Sequence, residues 1–271
     1  GESPLAQLHL IVRPRAGGAD VDQAAIEASL ARIVRNWHDE LRERLVQSHG
    51  EERGLKLANR YGKALPQGYI EEVTPEIAAS DVEHAAALRG PDDLRLSLYR
   101  PARAEGTGIR FKLFRQGRDI PLSEALPMME NMGLRILSEH PYAMQVGETR
   151  IHIQDFEVEP TREIDVESVR GSFETAFDRI WRGQAESDGF NRLILVAGID
   201  WRQVAMLRGY AKYLLQTGVP FSQTYMEETV ARYPLFARLL MEMFEAKFHP
   251  VTGKESRDEV REGQLRFDRQ I

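Results

Sequence analysis

The 271-residue chain contains no cysteine. Disulfides, thiolate-bound zinc and thiol nucleophiles are therefore excluded. Long apolar runs are missing as well. Leu193 to Ile199 is one of the longest, and it is far too short to cross a bilayer. The first residues lack the basic-then-apolar order of a signal peptide. A cytoplasmic location fits these absences, with no membrane partner. Surplus positive charge is also absent. The formal net charge is −6, whereas a general nucleic-acid binder needs an excess of Lys and Arg to neutralise phosphates. There is no G-x-G-x-x-G and no G-x-x-x-x-G-K-[ST], so no loop cradles a nucleotide phosphate. Gly106-Thr-Gly108 is a hairpin turn, because no helix follows it.

What remains is material for packed cores. Hydrophobic residues make up 42% of the chain, enough to exclude wholesale disorder. The most informative stretch runs from Leu122 to Tyr142. Leu126, Met129 and Met132 recur at helical spacing, and Gly133 is placed as the helix stop. Ser123 is the expected N-cap, offering its hydroxyl to the free first-turn N–H groups. Pro127 lies near enough to the start to be tolerated. Two strands are expected on each side. Leu94, Leu96 and Leu98 alternate with Arg95 and Ser97, and Ile109, Phe111 and Leu113 alternate with Arg110 and Lys112. After the helix, Leu134 to Ser138 and Arg150 to Phe156 supply the other pair. The order β-β-α-β-β predicts an α+β unit with a helix packed on one sheet face.

Helical periods flank this unit. Leu8 to Val12 reads as a strand, ended by Pro14 and Gly17-Gly18. Asp20 or Asp22 then caps a helix striped by Ile26, Leu30, Ile33, Val34, Trp37, Leu41 and Leu45. Residues 51–64 form another helix, Pro66 breaks it, and Pro75 opens one that reaches about Leu88. Beyond Pro160 the stripes are Val169 to Trp181, Val204 to Leu214 and Phe236 to Phe248, with Asp200 and Ser222 as caps. The expected division is 1–90, one strand followed by helices; 91–160, the sheet unit; 161–250, a helical bundle; and 251–271, a charged linker. A lone strand before so many helices suggests a piece of a longer protein.

Few residues invite a chemical role. His38, Asp39 and Glu40 are adjacent, so they point apart on a helix and read as a solvated face. His152 reads as a sheet-face histidine opposite Ile151 and Ile153. Glu72, Glu76, Asp81 and Glu83 cluster around Pro75, where carboxylates suit a helix start. Arg95, Arg110, Lys112, Arg115 and Arg118 are expected to line one exposed sheet face. Gly108-Ile-Arg-Phe-Lys-Leu-Phe matches an RNA-binding strand only superficially, since Phe111 shares the apolar side with Ile109 and Leu113. An acidic neighbouring domain fits that face better than RNA.

Several long segments carry a resemblance. Leu122-Ser-Glu-Ala-Leu-Pro-Met-Met-Glu-Asn-Met-Gly-Leu-Arg, Trp181 to Leu193, Trp201 to Tyr213 and Pro220-Phe-Ser-Gln-Thr-Tyr resemble the large bacterial NAD-dependent glutamate dehydrogenases. Gly50-Glu-Glu-Arg-Gly-Leu and Asp92-Asp-Leu-Arg-Leu-Ser-Leu-Tyr-Arg-Pro fit the same family. The resemblance implies an ACT-like (ferredoxin-like) domain over about Asp92 to Pro160, followed by a helical motif. It implies that the catalytic lysine and the nucleotide-binding glycines lie beyond Ile271, so no catalytic, cofactor-binding or metal residue is assigned here. NAD then belongs to the parent, and this segment alone is inactive. Its implied partners are the catalytic domain and other subunits in a homo-oligomer. The strand-to-helix turn with Gly117, Asp119 and Ser123 is the expected seat of an amino-acid effector, because N–H groups at a helix start suit a carboxylate. A stand-alone sensor of small metabolites remains the alternative.

Overall fold

The structure, a computed structural model, describes residues 37–101 and 108–248. The first layer is helical. Helices α1 (Trp37–His49) and α2 (Glu51–Tyr61) meet at Gly50, whose φ of 79° suits glycine. They pack so closely that a Cβ at Gly54 would lie 2.5 Å from the Val46 Cα. Pro66 does end the preceding helical run, and it also leads into a short helix, α3 (Gln67–Glu72). Helix α4 (Pro75–Ala86) starts on proline as expected, where its missing N–H costs nothing.

The sheet is antiparallel, with β1 (Leu94–Tyr99), β2 (Ile109–Gln116), β3 (Leu134–Val146) and β4 (Thr149–Pro160) in the order β1-β2-β4-β3. Helix α5 (Leu122–Asn131) sits between β2 and β3. The chain is thus α+β, as expected. The second strand pair is longer than its sequence suggests. Pro141 does not end β3, because β3 is an edge strand and an edge tolerates a missing N–H. Two details of α5 are corrected. Its N-cap position is Pro121, and exposed Ser123 lies inside the first turn with no capping bond. Pro127 stands within the helix and leaves the Ser123 carbonyl without its usual donor. Gly133 ends the helix with a φ of 88°, as expected.

Both faces of the sheet are covered. On one face Leu98, Ile109, Phe111, Phe156 and Val158 meet α5 and α6 (Val166–Trp181). Phe111 meets Phe173 and Phe177 edge-on, each at 5.1 Å between ring centres. Behind α6 lie α7 (Leu193–Ala197), α8 (Trp201–Gln216), α9 (Gln223–Arg232) and α10 (Pro234–Phe248). Asp200 and Ser222 cap α8 and α9 as expected, and Val204, Leu207 and Ala211 face the core, but Tyr210 and Leu214, expected on the same stripe, are exposed, because the buried side of α8 is narrower than its apolar side. Buried Arg208 holds Asp188 with two hydrogen bonds of 2.6 and 2.9 Å.

On the other face Phe114, Met144, Ile151 and Ile153 pack against α1–α4. This layer overturns the exposed basic face. Arg115 points to the opposite side, over the Trp181 ring. Lys112 is fully buried. Its Nζ lies 2.5 Å from Asp81 Oδ2 of α4 and 3.4 Å from Asp155 Oδ2 of β4. Tyr69 of α3 donates to the same Asp81 oxygen at 2.5 Å, and Arg110 donates to Asp155 Oδ1 at 2.9 Å. Burial works against the Lys112 charge, but Asp81 and Asp155 outweigh it and hold its pKa above the ordinary value. Asp81 is therefore no ordinary helix-start carboxylate: it ties a helix to the sheet. The reading of Leu8 to Val12, most of the first helix and residues 251–271 lie outside the described residues.

Two stability outcomes follow from this packing. Gly54→Ala must push α1 and α2 apart and should lower the denaturation midpoint. Gly171→Ala, in α6 with open space around its Cβ, should raise stability by about 1 kcal/mol. A gain from both would refute the close helix contact. Lys112→Met should cost about 3–5 kcal/mol, because it strands two buried carboxylates. Lys112→Met with Asp81→Asn should recover at least half of that loss. Simply additive penalties in this double-mutant cycle would exclude a coupled pair.

Candidate functional site

A cleft of about 880 Å³ opens where the helical layer meets the outer edge of β1. Its walls are α1, one side of α4, the end of β1 and α6. The sequence places charge on every wall. Asp81 and Tyr99 reach it from the buried cluster. Burial pushes the Tyr99 hydroxyl up to about 12, so it stays protonated. On α6, Glu174 and Arg170 are one turn apart and face the same strand. Glu174 accepts from the Leu98 N–H at 2.8 Å, and Arg170 Nε donates to the Leu98 carbonyl at 2.7 Å. The β1 edge is thus satisfied by side chains rather than by another strand. Burial pushes the Glu174 carboxyl above its ordinary value.

The rim is also charged. Arg44 of α1 bridges to Glu76 of α4 at 2.5 Å. Arg100, just past β1, is exposed and makes no hydrogen bond or ion pair among the described residues. His84 lies on the inner wall, stacked on Phe114 with ring centres 5.1 Å apart. Such a lining presents charges of both signs and groups able to donate or accept hydrogen bonds.

The effector turn expected from sequence lies elsewhere, on the α5 side of the sheet. Gly117 adopts a φ of 80°, and its N–H donates to the Arg150 carbonyl at 2.7 Å. Asp119 Oδ1 lies 2.6 Å from His152 Nδ1. His152 is therefore a sheet-face residue as expected, but one that is 9% exposed and engaged by the turn. Gln154 donates to the Ile120 carbonyl at 2.9 Å, while its buried Oε1 lacks a partner among the described residues. Gly117 and Asp119 share the turn; Ser123 stands beyond it, exposed in the first turn of α5. The cleft escaped the sequence reading. One signal for it is present: Lys112 and Phe114 share a strand side, so that side holds both a charge and a core residue.

His84 supplies a pH dependence. Burial lowers its pKa from the ordinary histidine value. The unfolded chain therefore binds a proton more readily than the folded one. The His84 contribution to stability is complete above about pH 6.5 and fades as the pH falls below that value. His84→Gln should flatten the acid limb of a stability–pH curve between about pH 7 and 5. An unchanged slope would show that His84 is not held neutral.

Comparison with known proteins bears on the chain as a whole. Residues 1–38 match the family model "Glutamate dehydrogenase, ACT2 domain", and 44–88 match "Glutamate dehydrogenase, helical motif 2". Residues 93–169 match the ACT3 domain of the same enzyme, and 185–250 its helical motif 3. The NAD-specific glutamate dehydrogenase of Halomonas elongata is 41% identical over 92% of this chain. Those of Pseudomonas aeruginosa and Mycobacterium tuberculosis are 31% identical over 100% and 33% identical over 92%. The aligned region is 16–17% of each relative, so the chain spans about a sixth of their length. The four matched modules run collinearly along the sequence; the sheet described above lies in the ACT3 module, with helical motif 2 on one face, α5 and α6 on the other, and helical motif 3 behind α6. The chain belongs to the NAD-specific glutamate dehydrogenases, as a segment made of their ACT and helical-motif domains.

Proposed function

We propose that this segment regulates and assembles a dehydrogenase whose whole polypeptide converts L-glutamate, NAD and water to 2-oxoglutarate, ammonium and NADH. The segment would pack against the catalytic domain and other subunits of a cytoplasmic homo-oligomer. It would contribute no catalytic residue and no NAD site. An amino-acid effector would bind at the turn of Gly117, Asp119 and Ser123. The observation that favours this reading is the sandwich itself. One sheet carries a helical layer on each face, and both layers are fixed to its strands by buried side chains. A ligand that shifts one layer must therefore work against the other. That continuity suits transmission between domains better than it suits an isolated metabolite sensor.

Two measurements test this. Calorimetric titration of the chain with NAD should give no binding; a micromolar one-site isotherm would end the claim that NAD binds only elsewhere in the parent. Thermal-shift screening with the proteinogenic amino acids should find a stabilising ligand. At 100 times its dissociation constant it should add about 2.7 kcal/mol. Asp119→Asn should abolish that gain. A gain that survives Asp119→Asn would remove the turn from the mechanism.

A further inference from the structure

We propose that the exposed face of α8 docks a second copy of this chain, with the two α8 helices antiparallel about a two-fold axis at Gly209. This pairing rests on the homo-oligomer reading above and gives it a surface and a symmetry. It is independent of the effector turn.

Of the ten exposed large hydrophobic side chains among the described residues, eight lie between Tyr210 and Phe248. Tyr210, Tyr213 and Leu214 share one side of α8. Tyr210 also meets Phe244, which meets Phe248, with ring centres 6.1 and 4.9 Å apart. A surface this rich in aromatics marks a protein–protein contact. Its order identifies the occupant. Arg202, Ala205, Gly209, Tyr213 and Gln216 are all exposed and form one stripe of α8, spaced symmetrically about Gly209. In an antiparallel pair, Ala205 faces Tyr213 of the other copy, small against large, and Arg202 faces Gln216, whose side-chain carbonyl can accept from it. A Cβ at Gly209 would meet nothing within 4 Å, so the two backbones can approach closely at the axis. An isologous contact needs such self-complementary order, and a foreign partner does not. The stripe carries no carboxylate, so the acidic surplus of the chain does not oppose the contact. Lys212 beside it is held by Glu186 at 2.5 Å, and the two Arg202 positions would lie fourteen residues of helix apart, about 21 Å. The area is also sufficient. Tyr210, Tyr213, Leu214 and Phe248, each about half exposed, offer about 100 Å² apiece. With Arg202, Lys212 and Gln216 the face reaches roughly 700 Å², close to the 800 Å² or so that each partner of a stable pair buries.

Sedimentation velocity on the whole 271-residue chain tests the pairing. A dimer of about 62 kDa, twice the 30.9 kDa of one copy, should form at micromolar concentration. Gly209→Gln blocks the axis, and Tyr213→Ser removes the ring that covers Ala205; each should weaken association tenfold or more. Both positions are exposed, so the denaturation midpoint of the single copy should not fall. The axis itself has a direct readout, because the chain has no cysteine. A disulfide needs Cα atoms within about 7 Å, so under mild oxidation Gly209→Cys should cross-link to its own counterpart. Leu122→Cys, exposed on α5, should not. A chain that stays monomeric at every concentration overturns the proposal. A dimer that tolerates Gly209→Gln and fails to cross-link through Gly209→Cys also overturns it, while leaving the homo-oligomer reading in place through another surface.

Discussion

A lysine without solvent controls the architecture. Lys112 sits in the middle of β2 with its ammonium fully buried between Asp81 and Asp155. A bare ammonium in such a place would be unsustainable, since burying an unpaired charge costs several kcal/mol. The carboxylates must therefore be held where they are. Asp155 is placed by strand pairing, because Lys112 and Asp155 are directly opposed in the register. Asp81 is placed by α4, and α4 is placed by the apolar contacts of Val82 and Ala78 with the rest of the helical layer. The burial of one charge thus fixes the seat of a whole layer. Such a pair adds little to stability compared with an apolar filling. Its physical effect is selectivity, because a slipped helix would leave charges unpaired.

The sequence shows most of the secondary structure, for reasons that are local. Alternation in 94–98 and 109–113, caps at Asp200 and Ser222, and the glycine at 133 are each decided within a few residues. The misreadings concern what lies across space. Lys112 and Arg110 look like solvent residues because a strand that faces water on one side shows the same alternation as one that faces a charged partner. Only Phe114, on the same side as Lys112, signals a second core. The extension of β3 through Pro141 was hidden because proline reads as a stop until the strand is known to be an edge. The cleft was less legible still. Its charges come from four elements distant in the chain, and no local spacing relates Arg44, Tyr99 and Glu174.

The two faces of the sheet share their strands, and this links the cleft to the turn. In β4, His152 and Gln154 face the α5 side and hold the turn through Asp119 and Ile120. Ile153 and Asp155, one residue along, face the helical layer and belong to its core and its ion cluster. A strand cannot displace one set without displacing the other, because its alternate side chains ride on one backbone. Asp155 thus shares its strand with the groups that hold the turn, and Lys112 joins it to Asp81 on the wall of the cleft. A sheet packed on both sides has rigid neighbours that leave few independent ways to move.

The edge at Leu98 completes this arrangement. An unpaired strand edge invites another strand, and proteins usually blunt it with charge or cover it. Here α6 does both, through Arg170 and Glu174 on the two backbone groups of Leu98. The same helix packs Phe173 and Phe177 against Phe111 beneath the sheet. One helix therefore closes an edge, fills a core and forms a wall of the cleft. A group that draws Glu174 away from the Leu98 N–H must also offset the loss of that hydrogen bond, worth about 1 kcal/mol or somewhat more for a charged acceptor. Occupation of the cleft and the seating of α6 on the sheet are thus linked by the same carboxylate, and α6 leads directly into the helices of motif 3.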